Sequence, residues 1–219
     1  MDRIGAPIIR AVPCARLNFL AHLYLSAHDE DLLLGQLLGD FLEPGWKQTL
    51  SPGIQAGVRL HQKVDFFTDT HPVFGVSRRR LPEPYRRYAG VLVDVFYDHV
   101  LARRWDDYSP GEPLDAFIQR SYATLERRRD DLTPRLRRTL PAIIRYDWLG
   151  SYRRVDGIAR TLRGLSRRLR FPNPLAEAVS VLETDYPGFE NDFRQFFPEL
   201  QAFVLANDPG TSRVERLAE

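Results

Sequence analysis

Hydrophobic positions along the chain recur at intervals of three and four rather than two, and the residues that interrupt them are helix starts and stops. The stretch "SAHDEDLLLGQLLGDFL" predicts a helix capped at Ser26, with Asp29 three residues on, and stopped by Pro44-Gly45. Ser51-Pro52 opens a second helix, which runs through "IQAGVRLHQKVDFFTD" to His71-Pro72. Pro84 opens a long third. Further helical patterns are expected at 113–130, 133–147, 151–169 and 174–206, with breaks at Pro110, Pro134, Asn173-Pro174 and Pro187-Gly188. No clear strand pattern or internal repeat emerges. The predicted fold class is all-α, a single helical domain.

The third helix contains "VLVDVFYDHVLARRW", residues 91–105, in which ten of fifteen positions are apolar or aromatic. A helix apolar almost all round is buried. Asp94, Asp98 and His99 are therefore expected in the interior, where uncompensated charge is costly. The second helix places His61, Asp65 and Asp69 at successive i, i+4 positions, so all three project from one side. His22 in "NFLAHLYL" and Asp40 in "LLGDFL" stand in similarly apolar company. Carboxylates and imidazoles from four apolar helical segments, without thiolates, suit a divalent ion of the Mn, Fe, Mg or Zn type held between helices. Such an ion would neutralise the buried acids. Each residue taken alone has a plainer reading: His22 as a hydrogen-bonded core histidine, Asp69 as a partner of backbone groups at a helix end, Asp94 as the partner of a buried arginine such as Arg59.

Charge changes the picture more than composition does. The net charge is only +2, yet residues 120–170 hold fifteen arginines against five acids, an excess of ten. Lys47 and Lys63 are the only lysines. An arginine bias also follows from a GC-rich genome, and runs such as "ERRRDD" also read as solvated helix faces. The acids in this segment are nevertheless too few to pair them all, which predicts an electropositive face suited to an acidic partner. Zinc-finger, phosphate-loop and RNP-like motifs of nucleic-acid proteins are absent. With 219 residues and 43% hydrophobic content the chain can bury a proper core. A single cysteine, Cys14, and the lack of an apolar run long enough to span a bilayer give a cytoplasmic expectation.

Five motifs in order, "NFLAHLYLS", "LLGDF", "GVRLHQKVDFFTD", "LVDVFYDHVLARRW" and "YPGFENDFRQFFPEL", give the chain a resemblance to the bacterial acyl carrier protein phosphodiesterases over about residues 17–206. That resemblance implies an HD-domain-like metal phosphohydrolase bundle. It implies hydrolysis of the phosphodiester that joins 4′-phosphopantetheine to a serine of holo acyl carrier protein, giving the apo form, in the cell's fatty acid metabolism. It also implies a divalent cofactor, most simply Mn²⁺, and an acidic protein substrate. It implies metal ligands drawn from His22, Asp40, His61, Asp65, Asp69, Asp94, Asp98 and His99; of these, His22, Asp40, His61, Asp65 and Asp98 are expected at the ion and Asp69, Asp94 and His99 in proton transfer and orientation, with Arg59 as a contact to nonbridging oxygens. One departure is that the chain has the reversed pair Asp98-His99 and no His-Asp dyad. The rival expectations are a related metal phosphohydrolase acting on nucleotides, and a noncatalytic arginine-rich module that binds acidic partners. Residues 1–16 are expected to be an extension dispensable for catalysis, with Leu17 at the position where the family begins; 17–206 form the catalytic domain and 207–219 a tail.

Overall fold

The computed structural model describes residues 18–42, 45–169 and 171–208. The expected extension at 1–16 and nearly all of the expected tail lie outside them. The described residues form twelve α-helices and no strand: α1 (Phe19–Tyr24), α2 (Glu30–Leu38), α3 (Pro52–Thr70), α4 (Pro72–Arg79), α5 (Ala89–Arg103), α6 (Trp105–Tyr108), α7 (Leu114–Arg127), α8 (Pro134–Arg145), α9 (Trp148–Ser151), α10 (Val155–Arg168), α11 (Val179–Thr184) and α12 (Tyr186–Asn207). Among the described residues, no helix is long and apolar enough to cross a membrane.

Capping chemistry sets several of the boundaries. Ser51 Oγ accepts the N–H of Ile54 with Pro52 in the first turn, so α3 begins where the sequence places it and ends at His71. The helix expected from Ser26 starts later. Asp29 is its cap, accepting the N–H of Leu32 at 2.9 Å, and Ser26 is buried upstream. The helix expected from Pro84 starts at Ala89, because residues 82–88 form tight i→i−3 turns that use Pro82 and Tyr85 as acceptors. Two elements, α4 and α9, have no counterpart among the expected helices. At eight and four residues they are too short to display a period.

One hydrophobic core runs through the whole set. Helix α5 lies within it, buried from Leu92 to Ala102, as its all-round apolar pattern requires. Glycines allow α2 and α3 to approach backbone to backbone. A Cβ on Gly35 would lie 2.3 Å from the Ile54 carbonyl oxygen, and one on Gly57 would lie 2.6 Å from that of Leu32.

Helices α4, α5 and α12 are tied by a polar network instead. Arg80 forks onto Asp192 at 2.7 and 3.0 Å and reaches Asp185 at 2.9 Å. Ser77 donates to Asp192 at 2.6 Å and shares a 2.8 Å hydrogen bond with Tyr97. The Asp192 of "YPGFENDFRQFFPEL" thus serves packing: a carboxylate at 3% exposure is held by a bidentate guanidinium and a hydroxyl.

The arginine-rich segment is more fully paired than its own acids allow. Arg120 pairs with Glu112, Arg127 with Glu30, Arg128 with Asp31 and Asp131, and Arg153 with Asp115. Most of these partners lie outside residues 120–170, so folding neutralises part of the expected excess. Arg129, Arg138, Arg163 and Arg167 remain exposed.

Candidate metal centre

Helix α1 supplies His22, which is 1% exposed. The turn it stands on is fixed from 77 residues away: Asp98, on α5, accepts the backbone N–H groups of Leu20 and Ala21, both at 2.9 Å. These first-turn donors have no partner within their own helix, so a carboxylate there satisfies them. Helix α3 supplies His61 and Asp65 one turn apart on one face. Helix α2 supplies Gln36, and Asp40 follows just after its end. The close approach of α2 and α3 sets their mutual distance. Gly39 completes the fit, since the His61 ring lies where a Cβ on Gly39 would be, 2.3 Å from Cδ2.

These elements bring two imidazoles and two carboxylates together. The rings of His22 and His61 stack with centroids 4.3 Å apart. His22 Nε2 lies 3.4 Å from one Asp65 oxygen, His61 Nε2 lies 3.4 Å from the other, and Asp40 is 3.8 Å from His61 Nε2. One donor atom from each of His22, His61 and Asp65 lies within 4.8 Å of the other two, so this group could hold a metal ion. On its far side, His22 Nδ1 is 2.7 Å from the Gln36 amide oxygen.

Electrostatics follow from this crowding. Burial disfavours the charged form of His22, but the adjacent Asp65, and then Asp40, outweigh it and raise its pKa. Burial pushes Asp65 up, and the two histidines overcome it and hold the carboxyl well below the usual range. Asp98 goes the other way: complete burial lifts it to about 7, against the two amides and His22, which lower it.

The donor set fits a divalent cation. It offers nitrogen and oxygen without thiolate, and His22 Nε2 and His61 Nδ1 are buried atoms with no hydrogen bond. Buried polar atoms in that state call for an ion or water.

The other expected site residues are placed differently. Asp98 directs its oxygens to the α1 backbone. Asp94 is buried one turn earlier on α5. His99 is buried, with Nδ1 2.6 Å from the Tyr152 carbonyl oxygen, and burial lowers its pKa. Asp69 is exposed, one turn beyond Asp65. Arg59 is also exposed, about 160° round α3 from His61 at 100° per residue, so it is no buried partner for Asp94.

Three residues near the centre were not singled out from sequence. Gln36 is the one polar side chain inside "LLLGQLL", and that isolation was its signal. Tyr152 and Arg168 gave none. Burial pushes the Tyr152 phenol well above its ordinary value; the charges of Asp98 and Asp40 reinforce this and Arg168 opposes it.

Fold and site together define a helical protein with a buried centre suited to a divalent cation. Over residues 17–200 the chain matches the family model described as acyl carrier protein phosphodiesterase. The acyl carrier protein phosphodiesterase of Photorhabdus laumondii is 35% identical over 183 residues, covering 83% of this chain and 92% of that protein. That of Escherichia coli strain E24377A is 32% identical over 186 residues, covering 85% and 96%. No solved structure matches. The chain belongs to the acyl carrier protein phosphodiesterase family, a family of hydrolases.

Proposed function

We propose that this protein hydrolyses the phosphodiester between 4′-phosphopantetheine and the serine of holo acyl carrier protein, releasing the prosthetic group and the apo protein. The observation that carries this reading is the group of His22, His61 and Asp65, with both histidines buried and the carboxylate half-buried, in a chain of this family. In this reading these three residues, with Asp40 beside them, hold a divalent cation, with manganese the first to test. When bound, such an ion polarises a phosphoryl oxygen and makes water a better nucleophile at neutral pH.

The protein's own groups supply the rest. Asp40, beside His61, accepts the proton of the attacking water. Asp69, exposed one turn beyond Asp65, relays that proton to the serine oxygen as its bond to phosphorus breaks, and Asp94 and His99 act from the interior by holding α5 in place. Arg168 takes the nonbridging oxygens in preference to Arg59. The exposed arginines of α8 and α10 attract the acidic carrier protein, which affects encounter rate and orientation most. A substrate of fatty acid biosynthesis and a single cysteine both suit the cytoplasm.

The test is mass spectrometry of holo acyl carrier protein incubated with the purified protein and Mn²⁺. Loss of 4′-phosphopantetheine that ceases after chelation is the expected result. Unchanged carrier protein, with turnover of a nucleotide panel instead, would replace this substrate by a nucleotide.

A further inference from the structure

Gln36 is fully buried in the most leucine-rich turn of α2, and nothing in the proposed reaction uses it. A buried amide in that setting needs a reason to be there. Its oxygen lies 2.7 Å from His22 Nδ1, a short distance for a hydrogen bond between neutral groups. An amide oxygen can only accept, so Nδ1 carries the proton. In the neutral imidazole the other nitrogen, Nε2, is then a bare lone pair. Nε2 is the atom that faces Asp65 at 3.4 Å and makes no hydrogen bond. A lone pair facing a carboxylate is repulsive by itself, and without an ion a proton on Nε2 relieves it, the reason Asp65 raises the His22 pKa. A cation between them removes the repulsion.

We infer that Gln36 is a positioning residue that locks His22 in the Nδ1–H tautomer and so keeps Nε2 ready to ligate a divalent cation. Asp98 complements it. Gln36 fixes the ring from the side, while Asp98 fixes the backbone turn immediately before His22. His61 differs, since its Nδ1 has no hydrogen-bond partner and only the carboxylates facing Nε2 bear on its tautomer before the ion arrives. The inference rests on the cation reading of the site. The opposite amide orientation, with the Gln36 NH₂ donating to Nδ1, is its physical rival. That arrangement puts the proton on Nε2, which donates to Asp65, and closes the site without an ion.

The experiment has two readouts besides activity, both on the full chain. Long-range ¹⁵N–¹H correlation spectra of the metal-free protein report which nitrogen of His22 is protonated. Electron paramagnetic resonance of free Mn²⁺ reports affinity. The inference expects Nδ1–H in the wild type, loss of that preference in Gln36→Met, and a 10–100-fold weaker Mn²⁺ affinity in that variant. Gln36→Glu, which keeps an acceptor, should retain the tautomer. An Nε2–H signal without Nδ1–H in the wild type, read at a pH where His22 is neutral, overturns the inference even if Gln36→Met fails to fold. Equal Mn²⁺ affinity in wild type and Gln36→Met overturns the role of Gln36 while leaving the cation site intact. Failure of the wild type to bind any divalent cation overturns both readings together.

Discussion

Asp98 Oδ1 accepts the backbone N–H of Ala21 at 2.9 Å across 77 residues of chain, next to the His22 that this turn presents. With the matching bond to Leu20, this makes Asp98 a structural support of α1. Asp98→Ala strands two buried donors, each of which costs about 1–3 kcal/mol. The expected outcome is a lower urea midpoint in metal-free protein, together with weaker Mn²⁺ binding. An unchanged midpoint without metal would return Asp98 to a purely ligating role.

Helix α3 depends on Gly57 for its approach to α2. In Gly57→Ala the new methyl would meet the Leu32 carbonyl oxygen at 2.6 Å and Gly35 Cα at 2.9 Å, both of them backbone that cannot turn aside. A loss of about 1–3 kcal/mol is expected, along with reduced Mn²⁺ affinity, because His61 and Asp65 ride on the displaced helix. Gly90→Ala is the control, since a Cβ there meets nothing within 4 Å. Equal melting temperatures for the two variants would show that the helices can separate without cost.

Exposed arginines should govern recognition. Charge reversal at Arg138, Arg163 and Arg167 is expected to raise KM for holo acyl carrier protein and flatten its salt dependence, with kcat changed less. Arg153→Glu, which instead breaks an ion pair with Asp115, tests whether paired arginines contribute. A normal KM at low salt in the triple variant would move the docking surface elsewhere.

His99 should stay neutral where ordinary histidines titrate. Burial lowers its pKa despite the Tyr152 carbonyl, which raises it. Its unfolded-state value is about 6.5. The unfolded chain therefore takes up this proton first as the pH falls. The resulting stability is present above about 6.5 and is lost as the pH falls through the lower folded-state value. A histidine-resolved NMR titration checks it: a His99 midpoint at or above 6.5 would contradict the burial argument.

The helical class, the breaks at Ser51-Pro52 and His71-Pro72, the burial of α5 and the shared face of His61 and Asp65 could all be read from the chain. Each depends on residues within a few turns of one another, where the 3.6-residue period and capping chemistry act directly. What the chain did not disclose is which atoms meet across it. Asp98 looked like a ligand because it is buried and acidic, yet its oxygens are engaged by the backbone amides of Leu20 and Ala21, far away along the chain. Arg59 looked like a substrate contact from its place in the motif, yet it lies on the outer side of α3. The arginine excess at 120–170 is moderated by Glu30, Asp31, Glu112 and Asp115, none of which is in that segment. Tertiary structure decided these because a side chain's partner depends on where a distant backbone passes. Here that is fixed by close approaches such as Gly35 to Gly57, whose effect is spatial and leaves no periodic trace in the sequence.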